Sequence, residues 1–92
     1  MRKSDLKSVI QPDFEDLLAT GEYAVHHVFP GIGRRKKCEK YGFLVALRPE
    51  LHKEVHAHPN EGADKVLKDA CRAYWLESIG TEENFRREFG KW

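Results

Sequence analysis

The sequence predicts a small α+β domain in which an antiparallel hairpin leads into a histidine-bearing helix, with two further helices behind it. Three observations carry this. Two short apolar runs, Tyr23–Phe29 and Gly42–Arg48, have the length and the aromatic and β-branched content of strands. The stretch Ala63–Ser78 spaces its apolar residues by three and four, the period of a helix packed on one side. A chain of 92 residues suits one domain with a single modest core.

Taken in order, residues 1–12 are polar apart from Val9-Ile10 and read as a loose lead-in that Pro12 ends. Asp13–Gly21 predicts a short helix. Asp13 caps it, Glu15 and Asp16 suit its positive end, and Gly21 sits just past its last turn. The first strand, 23–29, is broken by Pro30-Gly31-Ile32-Gly33. Arg34–Tyr41 is charged and is expected to be a loop with at most one helical turn, which makes it the long connection of the hairpin. The second strand, 42–48, ends at Arg48-Pro49. Pro49 then opens a helix over about 49–57, with Glu50 in its first turn. In the helix over 63–78, Ala63, Val66, Leu67, Ala70, Cys71, Tyr74 and Trp75 form the expected core face, with Asp64 and Lys68 as an ion pair outside it. Thr81 caps a last helix over 82–89 in which Phe85 and Phe89 share a side. Trp92 is left to dock or dangle. The whole of 1–92 reads as one domain, with 63–92 as helical support.

Composition narrows the function classes. Hydrophobic residues make up 40% and charged residues 34%, a balance that folds rather than staying disordered. No apolar run approaches the ~20 residues of a membrane span, and no membrane partner is expected. The opening Met1-Arg2-Lys3-Ser4-Asp5 has no apolar secretory core, and Cys38 and Cys71 are too few for a disulfide scaffold. A cytoplasmic setting with reduced thiols is therefore expected. The net charge of +1 gives no global field, but Arg34-Arg35-Lys36-Lys37 concentrates positive charge beyond the first strand. Such a run is either a solvated loop or a phosphate-binding one. Arginine would grip phosphate bidentately and lysine as a point charge.

The strongest chemical signal is histidine. All five lie between His26 and His58. Imidazole is both the commonest metal ligand and the usual general base near neutral pH. His52 and His56 are four apart on a predicted helix, so they share a face and can ligate one ion. The residues between them, Lys53-Glu54-Val55, are not those of a zinc-protease helix. A third ligand has to come from His26-His27 or from His58. Consecutive strand residues point to opposite faces, so His26 and His27 can serve one site only if the strand bends there.

Several stretches taken together resemble the HNH, or ββα-metal, nuclease superfamily, and within it the small phage-type proteins. They are Lys7–Gln11, His26-His27-Val28-Phe29 with Gly31 and Arg34 or Arg35, Cys38–Leu47, Pro49–His52 with Val55-His56, Leu67-Lys68 and Glu82–Lys91. The likeness spans nearly the whole chain. It implies a ββα-metal core at 23–58 and a metal-dependent endonuclease that hydrolyses DNA in a phage, a prophage or their bacterial host. By position, His27 resembles the general base that takes a proton from water, worth roughly 10²–10⁴ in rate. His26, His52 and His56 resemble the divalent-metal ligands, as in the all-histidine site of the colicin DNases, with His58 as the rival to His56. The ion would lie between a non-bridging phosphate oxygen and the leaving 3′ oxygen as a Lewis acid. Zinc, nickel, magnesium and manganese all stay open. Arg34, Arg35, Lys36 and Lys37 fall where substrate phosphate would be bound, and a homodimer or a phage protein is the partner such a small domain would use.

Two positions depart from the family. Its middle asparagine should fall near Phe43, and Asn60 lies too far along to replace it simply. Leu17 and Thr20 stand where many relatives carry a Cys-x-x-Cys knuckle, so no second zinc is implied. Two other readings compete with the nuclease. One is a non-catalytic, zinc-stabilised ββα module that binds nucleic acid or protein. The other is a nucleic-acid-binding partner that uses the basic run without chemistry.

Overall fold

The computed structural model describes residues 6–90; Trp92 and the first five residues of the lead-in lie outside the described residues. Five helices and two strands follow in the order α1 (Phe14–Ala19), β1 (Ala24–His27), α2 (Arg34–Tyr41), β2 (Leu44–Leu47), α3 (Pro49–Ala57), α4 (Gly62–Ser78) and α5 (Glu82–Phe89). The α+β class and the antiparallel pairing are as the sequence predicts. Ala24 pairs with Leu47, Val25 with Ala46, His26 with Val45 and His27 with Leu44. Both strands are shorter than expected. Val28 still donates to the Phe43 carbonyl at 3.1 Å, but the chain bends over Val28-Phe29 so that both side chains are fully buried.

Residues 34–41 are not a loop. They form the eight-residue helix α2. Its turns offer the core one fully buried apolar anchor, Cys38, whose thiol lies 3.4 Å from the Phe29 amide that donates to it. Gly42 ends α2 in the left-handed region (φ 76°). A side chain there would also collide with Val9, since a Cβ would sit 2.9 Å from Val9 Cγ1. Only glycine meets both demands.

The lead-in is not loose where it is described. Residues 6–11 cover the outer edge of β2, which a two-stranded sheet would otherwise leave unpaired. Val9 donates to the Gly42 carbonyl at 2.9 Å, and the Ser8 hydroxyl donates to the Leu44 carbonyl at 2.5 Å. The Gln11 amide acts as a substitute strand: it donates to the Ala46 carbonyl (3.2 Å) and accepts from the Ala46 amide (2.6 Å). All four residues of β2 are consequently buried. Asp13 precedes α1, but its side chain makes no capping hydrogen bond.

The third helix packs on both strands and on α4, and α5 closes the other end against α2 and α4. The α5 N-terminus is a capping box in which Thr81 and Asn84 satisfy each other's backbone amides. Phe85 and Phe89 are buried as expected, and Phe89 packs on Phe29 with ring centres 4.6 Å apart. Phe43 and Trp75 belong to the same aromatic core, with Tyr74 packed against it. The inward face of α4 differs from the expected one. Asp64, Lys68, Cys71 and Trp75 are buried, whereas Val66 and Ala70 are exposed. Lys68 bridges Asp64 at 2.8 Å and donates to the Asn60 side-chain oxygen at 2.9 Å. The Asn60 amide donates to Asp64 at 2.6 Å. Burying two charges is tolerable because each finds its partners. Among the described residues, no helix is long and apolar enough to cross a membrane.

Candidate metal centre

Helix α3 owes its start to Pro49 at its first position, where a missing amide hydrogen costs nothing. Val55 is its buried anchor, and the side chains three residues before and one after it are His52 and His56. The four-residue spacing stacks these imidazoles on one face, their Nε2 atoms 3.1 Å apart. That face meets His26 of β1. The His26 ring lies edge-on to both, with centres 5.2 Å from each, and the His52 and His56 centres are 4.7 Å apart. One nitrogen from each of the three rings lies within 4.8 Å of the others.

Two observations bear on whether a cation fits this set. First, His26 Nε2 is buried and has no hydrogen-bond partner. A buried polar atom without a partner is costly, and a coordinated ion would satisfy it. Second, ligand nitrogens about 3.3 Å apart are what a tetrahedral zinc with bonds of about 2.0–2.1 Å requires. The His52–His56 separation already meets this, and closing the widest gap takes a side-chain adjustment of about 1.5 Å. The electrostatics agree. Burial pushes the His26 imidazole down to about 4, helped by the neighbouring His52 and His56 rings and opposed by Asp64. Burial and His56 lower His52 in the same way. A neutral imidazole is the form that binds metal.

The three rings line a cleft of about 420 Å³ together with His27, Arg35 and the loop residues Pro30, Gly31 and Ile32. His27 is the last residue of β1, and both it and His26 line this cleft although they are consecutive in the strand. Its ring stands apart from the group of three, and its Nε2 lies 3.3 Å from Glu39 Oε2. Glu39 went unnoticed in the sequence because 34–41 looked like a loop. On a helix, Glu39 lies one turn from Arg35 and so shares its face, and that spacing is the signal that would have found it.

The other predicted residues are placed as follows. His58 caps α3 and is exposed, 3.9 Å from Glu54 and from Glu61, in a separate hollow. The structure therefore groups His56, not His58, with His26 and His52. Arg34 is half-buried with its stem beside Gly31, and Lys36 is exposed. Lys37 is tied to α5, donating to the Glu88 carbonyl at 2.9 Å and pairing with its carboxylate at 3.0 Å. Phe43, where an asparagine would be expected, is core, and the Asn60 side chain is held by Lys68. Both cysteines are buried and free. Burial raises the Cys38 thiol to about 11 and raises Cys71 as well, which disfavours the thiolate at both. The chain matches no family model, and no curated protein or solved structure matches it.

Proposed function

We propose that the chain is a metal-dependent nuclease of the HNH type, in which β1, β2 and α3 form the ββα unit and the cleft takes a DNA phosphodiester. One observation supports this above all. Three imidazoles from a strand and a helix converge, and a fourth, held by a carboxylate, opens onto the same cleft. A structural zinc site is normally closed by four protein ligands, whereas three ligands with an open position, beside an imidazole outside the set, suit a catalytic site.

His26, His52 and His56 would hold one divalent ion. When bound, such an ion supplies Lewis-acid stabilisation of the charge that develops on the phosphate and leaving oxygens. The chain's own residues do the rest. The Glu39 carboxylate, 3.3 Å from His27 Nε2, would accept the hydrogen of that nitrogen and so leave Nδ1 with a lone pair. Nδ1 takes a proton from the attacking water as its oxygen bonds to phosphorus and the bond from phosphorus to the 3′ oxygen breaks, the departing 3′ oxygen taking a proton from solvent. The imidazolium so formed is stabilised by the Glu39 carboxylate. Arg35, exposed on the wall of the cleft, meets a phosphate oxygen. Glu39 thus does the steadying that the family assigns to its middle asparagine.

A second reading, a zinc-stabilised module without chemistry, draws on the depth of His26, which is only 3% exposed. Plasmid nicking across zinc, nickel, manganese and magnesium, with and without chelator, separates the two. The nuclease reading expects chelator-sensitive nicking that falls by roughly 10²–10⁴ in His27→Ala with metal content unchanged. In Glu39→Gln, the fall is smaller and lies in kcat rather than KM. Nicking that survives His27→Ala rejects the mechanism.

A further inference from the structure

The loop between β1 and α2 carries one side chain that the site described above does not use. Ile32 has a fractional exposure of 105%, so no described residue covers it, while it also lines the cleft of the three histidines. Val66, Leu76, Ile79 and Leu51 are exposed as well, but Val66 keeps about a third of its surface covered and the others more than half. The backbone around Ile32 is built to hold it out. Gly31 (φ 118°) and Gly33 (φ 82°) take conformations that other residues avoid, and the Arg34 amide closes the turn onto the Gly31 carbonyl at 3.2 Å. Both ends of the loop are anchored, by fully buried Val28 and Phe29 on one side and Cys38 on the other.

We infer that Ile32 is a wedge that enters a base step of double-stranded nucleic acid, so that the cleft acts on a duplex rather than on a single strand. This rests on the nuclease reading for its chemistry but not for its binding. The argument is the pattern of polarity. One apolar tip is followed within four residues by exposed Arg35 and Lys36. A base stack is apolar and its flanks are phosphate. A side chain such as isoleucine unstacks a step while arginine and lysine meet the backbone. A protein partner would need an apolar patch far larger than one side chain. Kinking a duplex at Ile32 would also draw the neighbouring phosphodiester towards the histidines that share its cleft.

The test compares cleavage of a short duplex with cleavage of one of its strands. The parent chain, Ile32→Ala and Ile32→Leu are each loaded with the most active ion of the nicking panel. The wedge predicts that the duplex-to-single-strand rate ratio falls about tenfold in Ile32→Ala and is retained in Ile32→Leu. In parallel, a duplex carrying 2-aminopurine is titrated with His27→Ala, with and without Ile32→Ala. The fluorescence rise that marks unstacking should depend on Ile32. An unchanged ratio together with an Ile32-independent signal overturns the wedge while leaving the nuclease reading standing. An Ile32-dependent rise in a protein that cleaves nothing keeps the wedge and rejects the nuclease.

Discussion

Among the described residues, polar side chains enter the core at two places, Asp64 with Lys68 and His26, and the two are finished differently. Around Asp64 and Lys68, each charge has its partner and Asn60 supplies both an amide donor and a carbonyl acceptor. Around His26, three imidazoles face one another and a buried nitrogen stays unpartnered. The first cluster is complete within the chain and fastens the α3–α4 turn to α4. The second leaves one buried nitrogen without a hydrogen-bond partner within the chain. A buried polar group without a partner calls for an explanation, and here the neighbouring imidazoles make a ligand one of them.

The largest expected effect breaks the finished cluster. Lys68→Met leaves the Asp64 carboxylate buried beside an apolar chain and should cost about 3–5 kcal/mol in urea unfolding. His26→Leu, at the same depth, removes an unpartnered nitrogen and should leave the metal-free protein within about 1 kcal/mol of its parent. Equal losses in the two variants would erase the distinction.

How much of this was legible in the sequence follows the same line. The histidine helix was readable because Pro49 marks its start and two identical side chains recur one turn apart. The hairpin was readable from two apolar runs. Helix α2 was not, because Cys38 is its one fully buried residue and the charges around it give no apolar stripe; with α2 went the view of Glu39. The Asp64–Lys68 pair looked like a solvated helix pair because pattern rules send charge to water, and only the packed turn at Asn60 shows why it turns inward. The role of Gln11 was hidden too, since a side-chain amide replacing a strand leaves no periodic trace.

A smaller effect sharpens the contrast by pH. His26 titrates at about 4 in the fold against an ordinary 6.5, so between these values the unfolded chain binds more protons than the folded one. Stability should be whole above pH 6.5 and decline as pH falls towards 4, by on the order of 3 kcal/mol at the lower end. In the metal-free protein this shows as a drop in urea midpoint that His26→Leu reduces, the remainder coming from His52, which burial also lowers. A drop of the same size in His26→Leu would place its origin elsewhere.

The most direct test of the unfinished cluster is calorimetric titration of the metal-free protein with zinc. One ion per chain is expected to bind. Binding should be lost in His56→Ala, which removes an exposed side chain and so threatens the fold least, and kept in His58→Ala and His27→Ala. No binding by the parent, or undiminished binding by His56→Ala, would contradict the account.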